Sequence, residues 1–301
     1  MLLELNIRGY SKQMSKRGKS LKIFLMDGVA TGRWICELSN WTGKAYKIPR
    51  KSYKKCLDRD ELRKPAVYFL FGYDDETGKP LVNIGETEDA IQRLGDHIRS
   101  EDKKYWIESI VFISKDDNLN KAHIKYLESR FYEIGKETNR YEIMNSTPPK
   151  KSSVSEAEES ELEEFIDNVK LVVSALGHKV FEPLVPIKVN SGNTDGETTK
   201  YLYIKNNKGL IATGIVESDG FIVLKNSRIN EAFSEKSLSN NICKLRKQYL
   251  SNGTIIDGYF SKDTWFSSPS AASDFILGYS TSGPLSLKDR SGKTLKELNE
   301  E

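Results

Sequence analysis

Cysteine and histidine are scarce in this sequence. Cys36, Cys56 and Cys243 are odd in number, far apart and without a CxxC pair, while His97, His123 and His178 form no His/Cys cluster. Neither a disulfide framework nor a structural zinc site is therefore expected. No apolar run approaches the roughly 18 to 20 residues needed to cross a bilayer, and residues 1–8 are too short and polar for a signal sequence. The expected setting is cytoplasmic, with no membrane partner. Low complexity is lacking too: 38% hydrophobic, 30% charged and 10% aromatic residues exclude a disordered polyelectrolyte and a collagenous chain. At 301 residues the chain is long enough for two or three domains.

A net charge of one sign is also nearly absent, at +3, but it is unevenly spread. Residues 1–64 carry 16 Lys/Arg against 6 Asp/Glu, residues 65–150 carry 12 against 16, residues 151–200 carry 5 against 10, and residues 201–301 carry 13 against 11. A block of one sign is often only a solvated face. Clustered Lys/Arg on an otherwise neutral chain is also the electrostatic footprint of a phosphate-bearing partner, and nucleic acid is the leading candidate.

Periodicity divides the chain. Residues 1–64 read as a basic β-rich module, with short strands at 21–26 and 33–38 and a short basic helix at 54–63. From 65 to 145 the order is β-β-α-β-α. An aromatic strand (AVYFLFGY, 66–73) and a second strand (PLVNIG, 80–85) flank turn chemistry (DDETGK), and a helix at 88–99 follows. A strand at 107–114 leads to a longer helix at 119–138, striped by Ile124, Leu127, Phe131 and Ile134. Residues 146–200 read as a linker carrying a helix at about 161–176, and residues 201–301 as a separate α+β domain with a basic helix at 238–250. The expected fold class is α+β: a small central antiparallel sheet with flanking helices, a β-rich N-terminal module and a separate C-terminal domain.

Four side chains in the central segment could carry chemistry. Arg93 and His97 are four residues apart, so a helix presents both on one face beside the hairpin. A guanidinium is a bidentate donor for phosphate, and an imidazole exchanges protons near neutral pH. The same pair also fits an amphipathic helix with a surface Arg and a half-exposed His. Tyr68 reads equally as a sheet-face aromatic. Glu128 falls on the border of the apolar stripe, where a snorkelling stem also explains it.

Taken together and in this order, these residues resemble the GIY-YIG nuclease family over residues 65–145. The first family motif reads Ala66-Val67-Tyr68 and the second Asn83-Ile84-Gly85. The resemblance implies that Tyr68 activates the attacking water, Arg93 holds the scissile phosphate, His97 assists proton transfer and Glu128 is the sole protein ligand of one Mg²⁺ or Mn²⁺. It further implies a closing Asn, Asn145 or else Asn139. The first Gly of the family is Ala66 here and the second Tyr is Asn83, which can hydrogen-bond but cannot serve as a phenolic acid or base.

The C-terminal segment has a resemblance of its own. Residues 266–272 (FSSPSAA), Gly278-Tyr279-Ser280, Gly283, Lys288-Asp289 and Gly292-Lys293-Thr294-Leu295 resemble the small domain that follows nucleases and DNA methylases in restriction-type proteins. Leu285 and Leu287 stand where aromatics are expected, and a helix N-cap at Ser267 or Ser268 followed by a hairpin fits the same residues. Lys244, Arg246 and Lys247 suit either phosphate contact or a solvated face. The expectation is a metal-dependent DNA endonuclease acting in restriction, phage defence or the processing of mobile DNA. Its alternatives are a DNA-binding regulator that keeps the nuclease fold without turnover, and an RNA-directed nuclease.

Overall fold

The computed structural model describes residues 18–184, 201–206 and 209–300. Along the first part run strands β1 (Leu21–Leu25), β2 (Trp34–Leu38), β3 (Gly43–Pro49), β4 (Ala66–Tyr73) and β5 (Pro80–Thr87), then helix α1 (Ala90–Arg99). Strand β6 (Trp106–Ser114), helix α2 (Lys121–Thr138), strand β7 (Glu142–Ile143) and helix α3 (Glu156–Ala175) follow. The seven strands form one sheet in the order β1-β2-β3-β6-β4-β5-β7. Every pair is antiparallel except β5 with β7.

Central strand β4 buries seven of its eight residues. Helices cover both faces of the sheet, so this strand reads as a continuous apolar run where a half-exposed strand would alternate. On one face α1 and the preceding 3₁₀ segments pack Ile91, Leu94 and Leu62 against Tyr68, Leu70 and Trp106. On the other, α2 and α3 pack Leu127, Phe131, Phe165 and Val169 against Phe69 and Phe112.

Two boundaries differ from the sequence expectation. The N-terminal β-rich stretch is part of the central sheet, because β3 pairs with β6 along its whole length, from Gly43 opposite Ser114 to Pro49 opposite Glu108. Its expected basic helix is a pair of 3₁₀ segments, Arg50–Cys56 and Asp60–Arg63. Helix α3 begins inside the expected linker, where Ser155 and Glu158 form a reciprocal capping box. Its Leu162, Phe165, Ile166 and Val172 join the first core. The remainder of the linker at 185–200 lies outside the described residues.

The C-terminal unit contains β8 (Tyr201–Asn206), β9 (Gly209–Glu217), β10 (Gly220–Val223), α4 (Asn240–Ser251), β11 (Ile255–Ile256) and β12 (Tyr259–Phe260). It continues with β13 (Thr264–Phe266), α5 (Pro269–Leu277), α6 (Gly283–Ser286), β14 (Leu287–Lys288) and α7 (Leu295–Asn299). Its five-stranded sheet has the order β13-β10-β9-β8-β14, and its own core gathers Phe221, Phe260, Phe266 and Phe275. Ser268 caps α5 ahead of Pro269, and Gly278 ends it at φ 80°, a conformation in which a side chain is strained. On α4, Lys244 pairs with Glu76 at 2.6 Å and Lys247 with Glu235 at 3.4 Å. Arg246 is 1% exposed and donates to the carbonyls of Phe275 and Asn230. Its guanidinium is an internal strut, out of reach of phosphate.

Candidate active site

Tyr68 and Gly85 face each other across β4 and β5. A Cβ at position 85 would fall inside the Tyr68 ring and hydroxyl, so a glycine there is what admits the phenol. Tyr68 lies on the face covered by α1 and is 1% exposed. Helix α1 starts at Asp89, whose carboxylate accepts from the Gln92 amide at 2.9 Å. One turn apart on it, Arg93 and His97 both reach Tyr68. Arg93 Nε donates to Tyr68 Oη at 3.0 Å, and His97 Nε2 lies 2.8 Å from the same oxygen.

The electrostatics of this trio are those of a closed polar site. Burial, reinforced by the positive charges of Arg93 and Lys103, pulls His97 down to about 4, so its imidazole is neutral at physiological pH. With the ring proton on Nδ1, the Tyr68 hydroxyl accepts from Arg93 and donates to His97 Nε2. Burial pushes the Tyr68 phenol up to about 12, and the Arg93 guanidinium pulls against that shift. Arg93 is solvent-exposed apart from this anchor, and its Nη groups form no hydrogen bond with any described residue. They are positioned to receive an oxyanion.

Glu128 enters from α2, which packs against β5. Burial and then the Glu86 carboxylate raise its carboxyl to about 7, against the opposing pull of Arg93, the Glu86 amide and Lys121. Glu86 itself pairs with Lys121 at 2.9 Å. A carboxyl held in this way, beside a second carboxylate, suits a hard divalent cation with oxygen ligands, which would relieve both the burial and the repulsion. Among the described residues no group of three or more His, Cys, Asp or Glu could hold a metal ion. A cation at Glu128 would therefore keep most of its ligands as water, as Mg²⁺ commonly does.

The two asparagines act on the backbone. Asn145 Nδ2 donates to the Ile84 carbonyl at 2.7 Å and its Oδ1 accepts from the Ile84 amide at 3.1 Å, clamping β5 just before Gly85. Asn83 is buried, donates to Asn145 Oδ1 at 3.2 Å and to the Ile84 carbonyl at 3.0 Å, and accepts from Lys103 Nζ. None of these hydrogen bonds goes to Tyr68, Arg93 or His97. Asn139, the other candidate for the closing position, caps α2 in the left-handed conformation at φ 53° and accepts from Lys262 at 3.0 Å.

Two neighbours escaped the sequence reading. Lys103 and Tyr105 lie in the polar connection between α1 and β6, which has no periodicity to mark it. Lys103 holds Asn83 and acts on His97. The Tyr105 hydroxyl is buried without a hydrogen-bond partner among the described residues, close enough to Tyr68 to feel its charge.

Residues 202–299 match the family model of DUF4357, a domain of unknown function, which covers most of the C-terminal unit. No curated protein and no solved structure matches the chain. No helix among the described residues is long and apolar enough to cross a membrane.

Proposed function

We propose that the chain is a divalent-metal-dependent endonuclease of the GIY-YIG type that hydrolyses phosphodiester bonds in DNA, in defence against foreign DNA or its processing. The observation that carries this reading is the hydrogen-bonded trio at Tyr68: one phenol joined to a neutral imidazole and to a guanidinium with free donors. Phosphodiester hydrolysis needs a water relieved of a proton, neutralised phosphoryl oxygens and a stabilised leaving oxygen. Tyr68 takes the water's proton as it passes its own to His97 Nε2, and the approach of a phosphate raises the imidazole's affinity for that proton. Arg93 binds the scissile phosphate through its Nη groups. Glu128 holds Mg²⁺ or Mn²⁺, which when bound supplies positive charge to the phosphoryl and leaving oxygens. Asn145 and Asn83 keep β5 in register so that Gly85 stays opposite Tyr68. The C-terminal unit adds affinity for DNA.

The test is incubation of the purified chain with plasmid, linear duplex DNA and RNA, each with Mg²⁺ and with EDTA. Cleavage of DNA that depends on Mg²⁺ is expected. Cleavage of RNA alone transfers the activity to the other nucleic acid, and binding of DNA without cleavage identifies a regulator that keeps the fold.

A further inference from the structure

Beside the candidate site, the 3₁₀ segment Arg50–Cys56 (RKSYKKC) presents two different faces. Ser52 and Cys56 are buried, and Tyr53 lies against α1, donating to the Ile91 carbonyl at 3.0 Å. Gly95 makes that approach possible, because a Cβ there would stand 2.5 Å from Tyr53 Oη. A glycine inside a helix costs about 1 kcal/mol against alanine, and here that cost accompanies a close fit. Arg50 fastens the near end by donating to the Lys103 carbonyl at 2.6 Å. The segment is thereby pinned to the helix that carries Arg93 and His97.

The outward face of the segment is formed by Lys51, Lys54 and Lys55, all exposed. Lys51 and Lys54 form no ion pair with any described residue, and Lys55 only approaches Asp27 at 3.7 Å, a carboxylate already held by Arg33 at 2.9 Å. At three residues per 3₁₀ turn, Lys51 and Lys54 line up with a rise of about 6 Å between them. Each strand of duplex DNA carries one phosphate per roughly 3.4 Å of axis, so a row of this length meets about two phosphates of one backbone. Solvated lysines on flexible loops would spread their charge, whereas these are fixed to the frame of the site.

We propose that Lys51, Lys54 and Lys55 form a track for the sugar-phosphate backbone of duplex DNA, aligned by the Tyr53–Gly95 contact. The inference rests on the nuclease reading for the nature of its partner. It is tested in EDTA, so that binding is measured apart from cutting. The affinity of the full chain for a fluorescent 25-bp duplex is followed by anisotropy across a NaCl series. Wild type is compared with the triple variant Lys51→Ala, Lys54→Ala, Lys55→Ala, and with a control of equal charge loss on the α2–α3 side, Lys125→Ala, Lys150→Ala, Lys151→Ala. Every phosphate left without its lysine lowers the magnitude of the log-log salt slope by about 0.9, so the track variant should lose about 2 to 3 and the control less than 1.

Equal slope losses in the two variants overturn the track, as does a wild type that does not bind duplex DNA or a larger slope loss on single-stranded RNA than on the duplex. If wild type binds the duplex but never cuts it, the nuclease reading falls, and the slope comparison still decides for or against the track.

Discussion

Replacing Glu128 by Gln should stabilise the metal-free protein at alkaline pH while disabling its metal response. The folded carboxyl is raised from its ordinary 4.5 to about 7, chiefly by burial and then by Glu86. A raised carboxyl favours the folded state fully below its unfolded value, and this contribution is lost as pH rises through about 7. Ionising it in the folded protein then costs up to about 3 kcal/mol, which the solvent still reaching Glu128 lowers to about 2 kcal/mol. The assay is urea denaturation in EDTA at pH 5 and pH 8.5, followed by tryptophan fluorescence. Trp34, Trp41 and Trp106, three of the four tryptophans, report on the first unit. The variant should exceed wild type by only about 0.5 kcal/mol at pH 5 and by about 2 kcal/mol at pH 8.5. Mg²⁺ at tenfold its dissociation constant should then add about 1.4 kcal/mol to wild type and nearly nothing to the variant. Parallel pH profiles, or equal stabilisation of both by Mg²⁺, would refute the placement of a titrating metal ligand at Glu128.

His97 gives the opposite sign. Its imidazole is lowered from 6.5 to about 4, so the folded state loses stability as pH falls through that window, and His97→Gln should flatten the acid limb of a Tm-versus-pH curve. Gly85→Ala sets a methyl group into the Tyr68 ring and should cost about 2 kcal/mol by urea denaturation, together with a loss of cleavage. Arg246→Ala removes two carbonyl hydrogen bonds and leaves a cavity in the C-terminal core. It should lower stability by about 2 to 4 kcal/mol and leave the salt slope of DNA binding unchanged.

The parts of the molecule legible in sequence are those governed by local periodicity. The β4 run, the α1 face carrying Arg93 and His97, and the stripe of α2 beside Glu128 follow from spacing; that Tyr68 meets Arg93 and His97, as it does in the structure, is implied by the family resemblance and not by any spacing. Non-local pairing was hidden. Strand β3 joins β6 about sixty residues later, and no short-range pattern distinguishes such a strand from one in a separate module. Arg246 reads as a surface charge because arginines usually are, yet two backbone carbonyls hold it inside. Arg140 is hidden for the same reason: it is buried, donating to the Glu182 carbonyl at 2.9 Å and pairing with Asp219 at 3.2 Å. The start of α3 did have a signal, Ser155 followed three residues later by Glu158, masked by the Pro- and Ser-rich stretch before it. Asn83 occupies a motif position, but what it touches depends on Asn145 and Lys103, which only the folded chain brings near.

The central claim is that Tyr68, Arg93 and His97 act together on a phosphodiester. Single-turnover cleavage of a plasmid at saturating protein with Mg²⁺, comparing wild type with Arg93→Lys, tests it most directly, because lysine keeps the charge and loses the fork anchored on Tyr68. A rate at least ~10² below wild type with DNA affinity preserved is the predicted result. Equal rates for the two proteins, or no cleavage by wild type, would contradict it.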